Sequence, residues 1–176
     1  MTTATLTETT RDRYNALNHT PEWVTKLVDE AEAAGVFSRG IQSDKRGRGT
    51  AVNVECFGYD EAQGLAVIQV RECQFRPDRF SRVRKDYYLL GHTEQGAVFA
   101  HAVDSPARSK RALASPQATV SFVLSRIWDC AEKELPHIIR QGDIALIPTR
   151  LPKSAVRLDE TETILRETHR LRAERL

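Results

Sequence analysis

RKDYYLLGHTEQGAVFAHAV, residues 84–103 of a 176-residue chain, is the stretch that decides the fold. Two apolar runs, Tyr87–Leu90 and Ala97–Val103, flank Thr93-Glu94-Gln95-Gly96, a polar turn closed by glycine, which reads as a β-hairpin. With Thr93–Gly96 as the loop, His92 faces Ala97, Leu90 faces Phe99 and Tyr88 faces His101. His92 and His101 then share a face, roughly 13 Å apart along the ladder at about 3.3 Å per residue. Ligands of one metal must each come within about 2.1 Å of it, so this pair does not chelate. His101 reads as a hydrogen-bonded sheet residue. His92, at the turn, is freer and with Glu94 has the groups for acid–base work.

Upstream, Val52, Val54 and Cys56 alternate with Asn53, Glu55 and Phe57 as a strand does. Asp60–Gly64 makes a turn, and Leu65–Phe75 a second strand. Leu65–Ile68 is apolar on both faces, which places it centrally in the sheet. From Gln69 onward polar and charged residues appear, so the far end of that strand emerges into solvent. Arg71, Arg76, Arg79, Arg82, Arg84 and Lys85 follow, against only Glu72 and Asp78. Phe75, Phe80, Tyr87 and Tyr88 stand among or beside them. Arginine forks grip phosphates, and aromatic faces stack unpaired bases at about 1–3 kcal/mol each, so this segment has the composition of a nucleic-acid surface. The plainer alternative is that the aromatics are core and the arginines solvate a loop. A second basic stretch, RGIQSDKRGRGT from Arg39 to Thr50, carries Lys45, Arg46 and Arg48; it reads as a solvated connection or as a flexible phosphate-contacting loop.

Two helices flank these strands. One, near 21–35, begins with Thr20 as N-cap and Pro21 at the first helical position, carries the stripe Trp23, Val24, Leu27, Val28 and Ala31, and stops at Gly35. The other, near 116–129, has Ser115 as N-cap and the stripe Val120, Val123, Leu124, Ile127 and Trp128. Both are expected to cover one face of a mainly antiparallel sheet. Pro106–Leu113 reads as a short helix. Pro136 discourages helix over Lys133–Arg140 and leaves His137 in a loop. Ile144–Ile147 reads as a strand ended by proline. In the last segment Asp159 and Glu162 have capping-box spacing, and Ile164, Leu165, Thr168 and Leu171 favour a helix over a strand. Residues 1–19 are Thr-rich and expected to form a mobile tail, leaving residues 20–176 as a single α+β domain.

Composition narrows the function classes. The chain is 40% hydrophobic and 28% charged with a net charge of +2, ordinary for a globular protein, so a polyanionic partner must be argued from where the charge sits. The sequence shows no apolar run of membrane-spanning length and no secretory h-region, and a cytoplasmic location is expected. Cys56, Cys73 and Cys130 are scattered and odd in number, which disfavours a zinc ribbon or a disulfide framework. No P-loop, GxSxG, HExxH, GxGxxG or EF-hand pattern is present, so no cofactor or metal is expected.

Arg140–Pro148, RQGDIALIP, carries two resemblances. It resembles the RQGDV-type signature of small uncharacterised phage, plasmid and bacterial proteins, in which a GD turn and an apolar strand ending in proline lead to histidine-bearing segments. The matching residues are Arg140, Gln141, Gly142, Asp143, Pro148 and Pro152, then His169-Arg170. That resemblance implies a phage or defence setting and no particular chemistry. IRQGDIALI also resembles the first strand of MazF-type endoribonuclease toxins, which implies an SH3-like barrel and RNA cleavage; where those toxins continue with an RPxLV-like run, this chain has LPKSAVRLDETETILRE.

Three functional expectations follow. The leading one is a non-catalytic protein binding RNA or single-stranded DNA through Arg71, Arg76, Arg79, Arg82, Arg84 and Lys85, with Phe80 or Tyr87 as a stacking platform. The second is a protein-interaction subunit whose arginines meet an acidic partner. The third is a ribonuclease or other hydrolase using His92, His101 or His169.

Overall fold

Leu65-Ala66-Val67-Ile68 is apolar at every position, and the structure sets it in the middle of an antiparallel sheet of order β1-β2-β3-β4-β5. The computed structural model describes residues 20–77, 79–141, 144–147, 153–154, 162–165 and 169–172. The sheet strands are β1 (Gly40–Ser43), β2 (Gly49–Asp60), β3 (Leu65–Arg76), β4 (Arg79–His92) and β5 (Val98–Val103), each paired to its neighbour in sequence. Helix α1 (Glu22–Ala33) precedes them and helix α2 (Pro116–Ile127) follows.

The fold is α+β, with its helices packed on the sheet. They lie on opposite faces, however, rather than together on one. Val24, Leu27, Val28 and Ala31 of α1 pack with Val54, Ala66, Ile68, Val70 and Leu90. Val120, Val123 and Leu124 of α2 pack with Leu65, Val67 and Leu89. Successive residues of β3 and β4 therefore enter different cores, as the two-residue period of a strand requires. A strand apolar on both faces needs cover on both, and each buried Leu, Val or Ile contributes about 1.5–3 kcal/mol.

Local chemistry sets the helix positions. The Ser115 hydroxyl accepts from the Ala118 N–H at 3.0 Å, with Pro116 in the first turn, as the sequence predicts. At α1 the start falls one residue later than expected: Pro21 occupies the cap position and makes no side-chain cap bond. Gly58 brings α2 against β2, because a Cβ there would overlap the Pro116 carbonyl and the Thr119 side chain. Thr119 is fully buried, and its hydroxyl donates to the Ala112 carbonyl at 2.7 Å.

The β4–β5 hairpin is real, but its register differs by one residue from the expected one. His92 pairs with Val98, Leu90 with Ala100, Leu89 with His101 and Tyr88 with Ala102. The Thr93 N–H donates to the Ala97 carbonyl at 2.8 Å and the Gly96 N–H to the Thr93 carbonyl at 2.9 Å, so Ala97 belongs to the loop. Gly96 supplies the positive φ of +79° that closes it. A one-residue shift exchanges the faces of a strand, so His92 and His101 sit on opposite faces of the sheet.

On either side of α2 the chain departs further from expectation. Pro106–Arg108 and Ala112–Ala114 are separate 3-10 turns, and Glu132–His137 is a 3-10 helix that includes Pro136 and His137. β6 (Ile139–Gln141) pairs with β7 (Ile144–Leu146), and β8 (Glu162–Leu165) with β9 (His169–Arg172), as two hairpins outside the main sheet. The C-terminal segment is thus strand where helix was favoured. Glu162 stands opposite Arg172, and β-branched Thr163 and Ile164 suit a ladder. The N-terminal tail and Gly142, Asp143, Pro148 and Pro152 of the RQGDV-like motif lie outside the described residues. Among the described residues no helix is long and apolar enough to cross a membrane.

Candidate nucleic-acid interface

β3 and β4 run past their covered halves. β5 pairs only with Tyr87–His92, whereas β3 and β4 stay paired out to Arg76 and Arg79. β1 and the start of β2 join them, so the far end of the sheet is four strands wide. The ladder then sorts the basic residues by face. Arg71 pairs with Lys85, on the face that nearer the core carries Leu65, Val67 and α2. Glu72 pairs with Arg84 and Gln74 with Arg82, on the α1 side. There Arg84 is held by Asp86 at 2.8 Å.

The α2-side face has a further property. One row across all four strands reads Ile41, Ala51, Cys73 and Val83. Ile41 is 63% exposed and Val83 46%, so this apolar row is open to solvent. Phe75 shares the face by alternation along β3, and its ring covers Gly49: a Cβ at Gly49 would meet the ring at 2.7 Å. Arg71 and Lys85 occupy the adjoining row and are exposed. Cations beside half-open apolar and aromatic side chains on a flat sheet can hold phosphates while bases lie on the face.

Two hairpin tips border this face. The β1–β2 turn is ordered by Asp44, whose carboxylate accepts from the Arg46 N–H at 2.8 Å and the Arg48 N–H at 2.9 Å. It is a hydrogen-bonded turn, closed also by the Asp44 N–H to the Arg48 carbonyl at 2.8 Å. A Cβ at Gly47 would touch Pro77 at 3.3 Å, so this turn lies against the β3–β4 tip. The two basic stretches, separate in sequence, therefore meet at one end of the molecule, and Lys45, Arg46, Arg48 and Arg76 are all exposed there. Arg39 does not join them: its guanidinium is paired with Asp29 and Glu32 of α1.

Tyr87 is not a stacking platform. It is only 9% exposed, its ring meets Phe57 edge-on at 5.4 Å, and its hydroxyl accepts from Gln69 Nε2 at 2.7 Å. Arg79 and Phe80 lie at the tip, where Phe80 pairs with Phe75 and Arg79 with Arg76. The residues that sequence reasoning left out of the site are Phe75, Val83, Ile41 and Cys73. Their signal was the period-two pattern Arg71-Cys73-Phe75, readable only once the face was known.

Of the candidate histidines, His92 and His101 do not meet, and the side chain of His169 lies outside the described residues. His92 Nε2 lies 2.6 Å from Glu30 Oε2 of α1, and its partner is therefore Glu30 rather than Glu94. His101 is on the α2 side, beside Phe122 and Arg126. Among the described residues no cluster of histidine, cysteine and acidic side chains has the arrangement to hold a metal ion. No protein-family model, no curated protein and no solved structure matches the chain.

Proposed function

We propose that the far end of the sheet binds RNA or single-stranded DNA without catalysis. The observation that carries this reading is the shared face of Arg71, Lys85, Phe75 and the open row Ile41–Ala51–Cys73–Val83. Phosphates would meet Arg71 and Lys85, and beyond them Arg76 and the Lys45–Arg48 turn, while Phe75 and Val83 would take the flat faces of unpaired bases. A duplex, whose bases are already stacked, would gain only the phosphate contacts.

Fluorescence anisotropy with labelled single-stranded RNA, single-stranded DNA and duplex, each over a salt series, tests it. Single strands should bind more tightly than duplex, with log affinity falling by about 0.7 per neutralised phosphate against log salt. Arg71→Ala with Lys85→Ala should flatten that slope. Phe75→Ala should weaken single-strand binding about 5- to 150-fold with the slope unchanged, because stacking is worth about 1–3 kcal/mol per base. No binding at low salt would overturn the reading, and cleaved RNA on a denaturing gel would replace it with a ribonuclease.

A further inference from the structure

Between the open apolar row and the core under α2, the same face of the sheet carries two polar rows. Asn53, Arg71 and Lys85 make one, and Glu55, Gln69 and Tyr87 the next. Gln69 is 2% exposed and its amide donates to the Tyr87 hydroxyl at 2.7 Å, so that pair is satisfied internally. Asn53 and Glu55, two residues apart on β2, are not. Both are half-exposed, and among the described residues neither side chain has a hydrogen bond or an ion pair. Other carboxylates of the far half are engaged: Asp44 orders the β1–β2 turn, Asp86 holds Arg84, and Glu72 accepts from Gln74 Nε2 at 3.4 Å. Glu55 is the exception, and the charges nearest it in the ladder, Arg71 and Lys85, are positive. On a surface that only gripped phosphates, such a carboxylate would weaken binding by like-charge repulsion. Its place on the strand gives it another use. Phe57, next along this face, belongs to the core under α2, and Gly58 lets α2 close down there. Glu55 therefore stands where the open strip meets a wall.

Unpaired bases are read by hydrogen bonds to their exposed edges. A base lying over Ala51 and Cys73 turns its edge along β2 toward Asn53 and Glu55, which are about 7 Å apart at about 3.4 Å per residue. An ionised carboxylate only accepts hydrogen bonds, whereas an asparagine amide can donate. Guanine alone among the bases places two adjacent donors, N1–H and N2–H, on its Watson–Crick edge, with the O6 acceptor beside them. Adenine and cytosine set a lone pair next to their one amino group, and uracil sets its N3–H between two carbonyls, so each would turn a lone pair toward the carboxylate. We propose that Glu55 and Asn53 select guanine in the bound single strand, with Glu55 accepting from N1–H and N2–H and Asn53 Nδ2 donating to O6. Arg71, opposite Asn53 on β3, keeps its place as a phosphate contact. This inference rests on single-strand binding at the far end of the sheet and adds to it the base preferred there.

The test is fluorescence anisotropy on the full chain with oligouridine strands that carry one central guanosine, inosine or adenosine. The guanosine strand should bind about tenfold or more tightly than the adenosine strand, the discrimination of one bidentate pair. Inosine keeps N1–H and O6 but lacks the 2-amino group, and its strand should fall between them. Glu55→Ala should bring the guanosine and adenosine strands to within about threefold of each other, while plain oligouridine binds as in the wild type or more tightly. Asn53→Ala should weaken the guanosine and inosine strands alike, since both keep O6. Binding that ignores the central base, or a guanosine preference that survives Glu55→Ala, would overturn this inference and leave single-strand binding standing. No binding of any strand at low salt would overturn both.

Discussion

Cys56 and Cys73 sit on adjacent strands and have different chemistry. Burial pushes the Cys56 thiol up to about 11, and its Sγ donates toward the Gly58 carbonyl at 3.5 Å. Cys73 is half-exposed on the open face between Arg71 and Phe75. Iodoacetamide at about pH 8 should therefore label Cys73 in the native protein and spare Cys56 until urea unfolds it, as peptide mass mapping would show. A bound oligonucleotide should slow the Cys73 reaction, which makes that thiol a reporter of the proposed site. Glu32 gives a second residue-level expectation. The Arg39 backbone N–H, aided by its guanidinium, holds the Glu32 carboxyl below its usual range despite burial and the nearby Asp29. A lowered folded value means the stabilisation is present above the unfolded value near 4.5 and fades as pH falls through the folded one. Glu32→Gln should cost under about 1 kcal/mol at neutral pH, given the pair's partial exposure, and nothing once wild-type Glu32 is protonated. Urea midpoints across that pH range read the difference.

At the scale of elements, Gly58 carries the docking of α2 on the sheet. Gly58→Ala should lower stability by about 1–3 kcal/mol through overpacking against Pro116 and Thr119, seen as a lower urea midpoint with unchanged slope. The strands and helices that build this junction were legible in the sequence, since the alternation of Val52–Phe57, the doubly apolar Leu65–Ile68 and the Ser115-Pro116 cap each had a local cause. What could not be read was nonlocal. The extra loop residue at Ala97 depends on backbone hydrogen bonds, yet it decided the face of every β5 side chain. Tyr87 looked available because its neighbours are charged, and only the fold reveals Gln69 and Phe57 around it. The strand pairing of Glu162–Leu165 with His169–Arg172 escaped notice because Ile164, Leu165 and Leu171 fit either period. The candidate site was legible as charge and not as geometry: the basic residues were visible, but their division between two faces follows from ladder parity.

At the scale of the molecule, the two ends of the sheet differ in cover. The covered half holds both cores, and the far half spends its side chains on solvent-facing charge and an open apolar row. The order β1-β2-β3-β4-β5 joins the halves through hairpins alone. That meander has a kinetic consequence. Every strand finds its partner across a short turn, so closing each loop costs little entropy before contacts form. Only the docking of α1 and α2 is long in sequence. Refolding from urea should therefore be fast for a sheet of this size, on the order of milliseconds, the range of domains rich in local pairing. The β2–β3–β4 hairpins should form first and the helices close over them afterward. In stopped-flow experiments Val67→Ala in β3 should slow folding, whereas Val123→Ala in α2 should chiefly speed unfolding, so the sheet is the template on which the rest of the chain assembles.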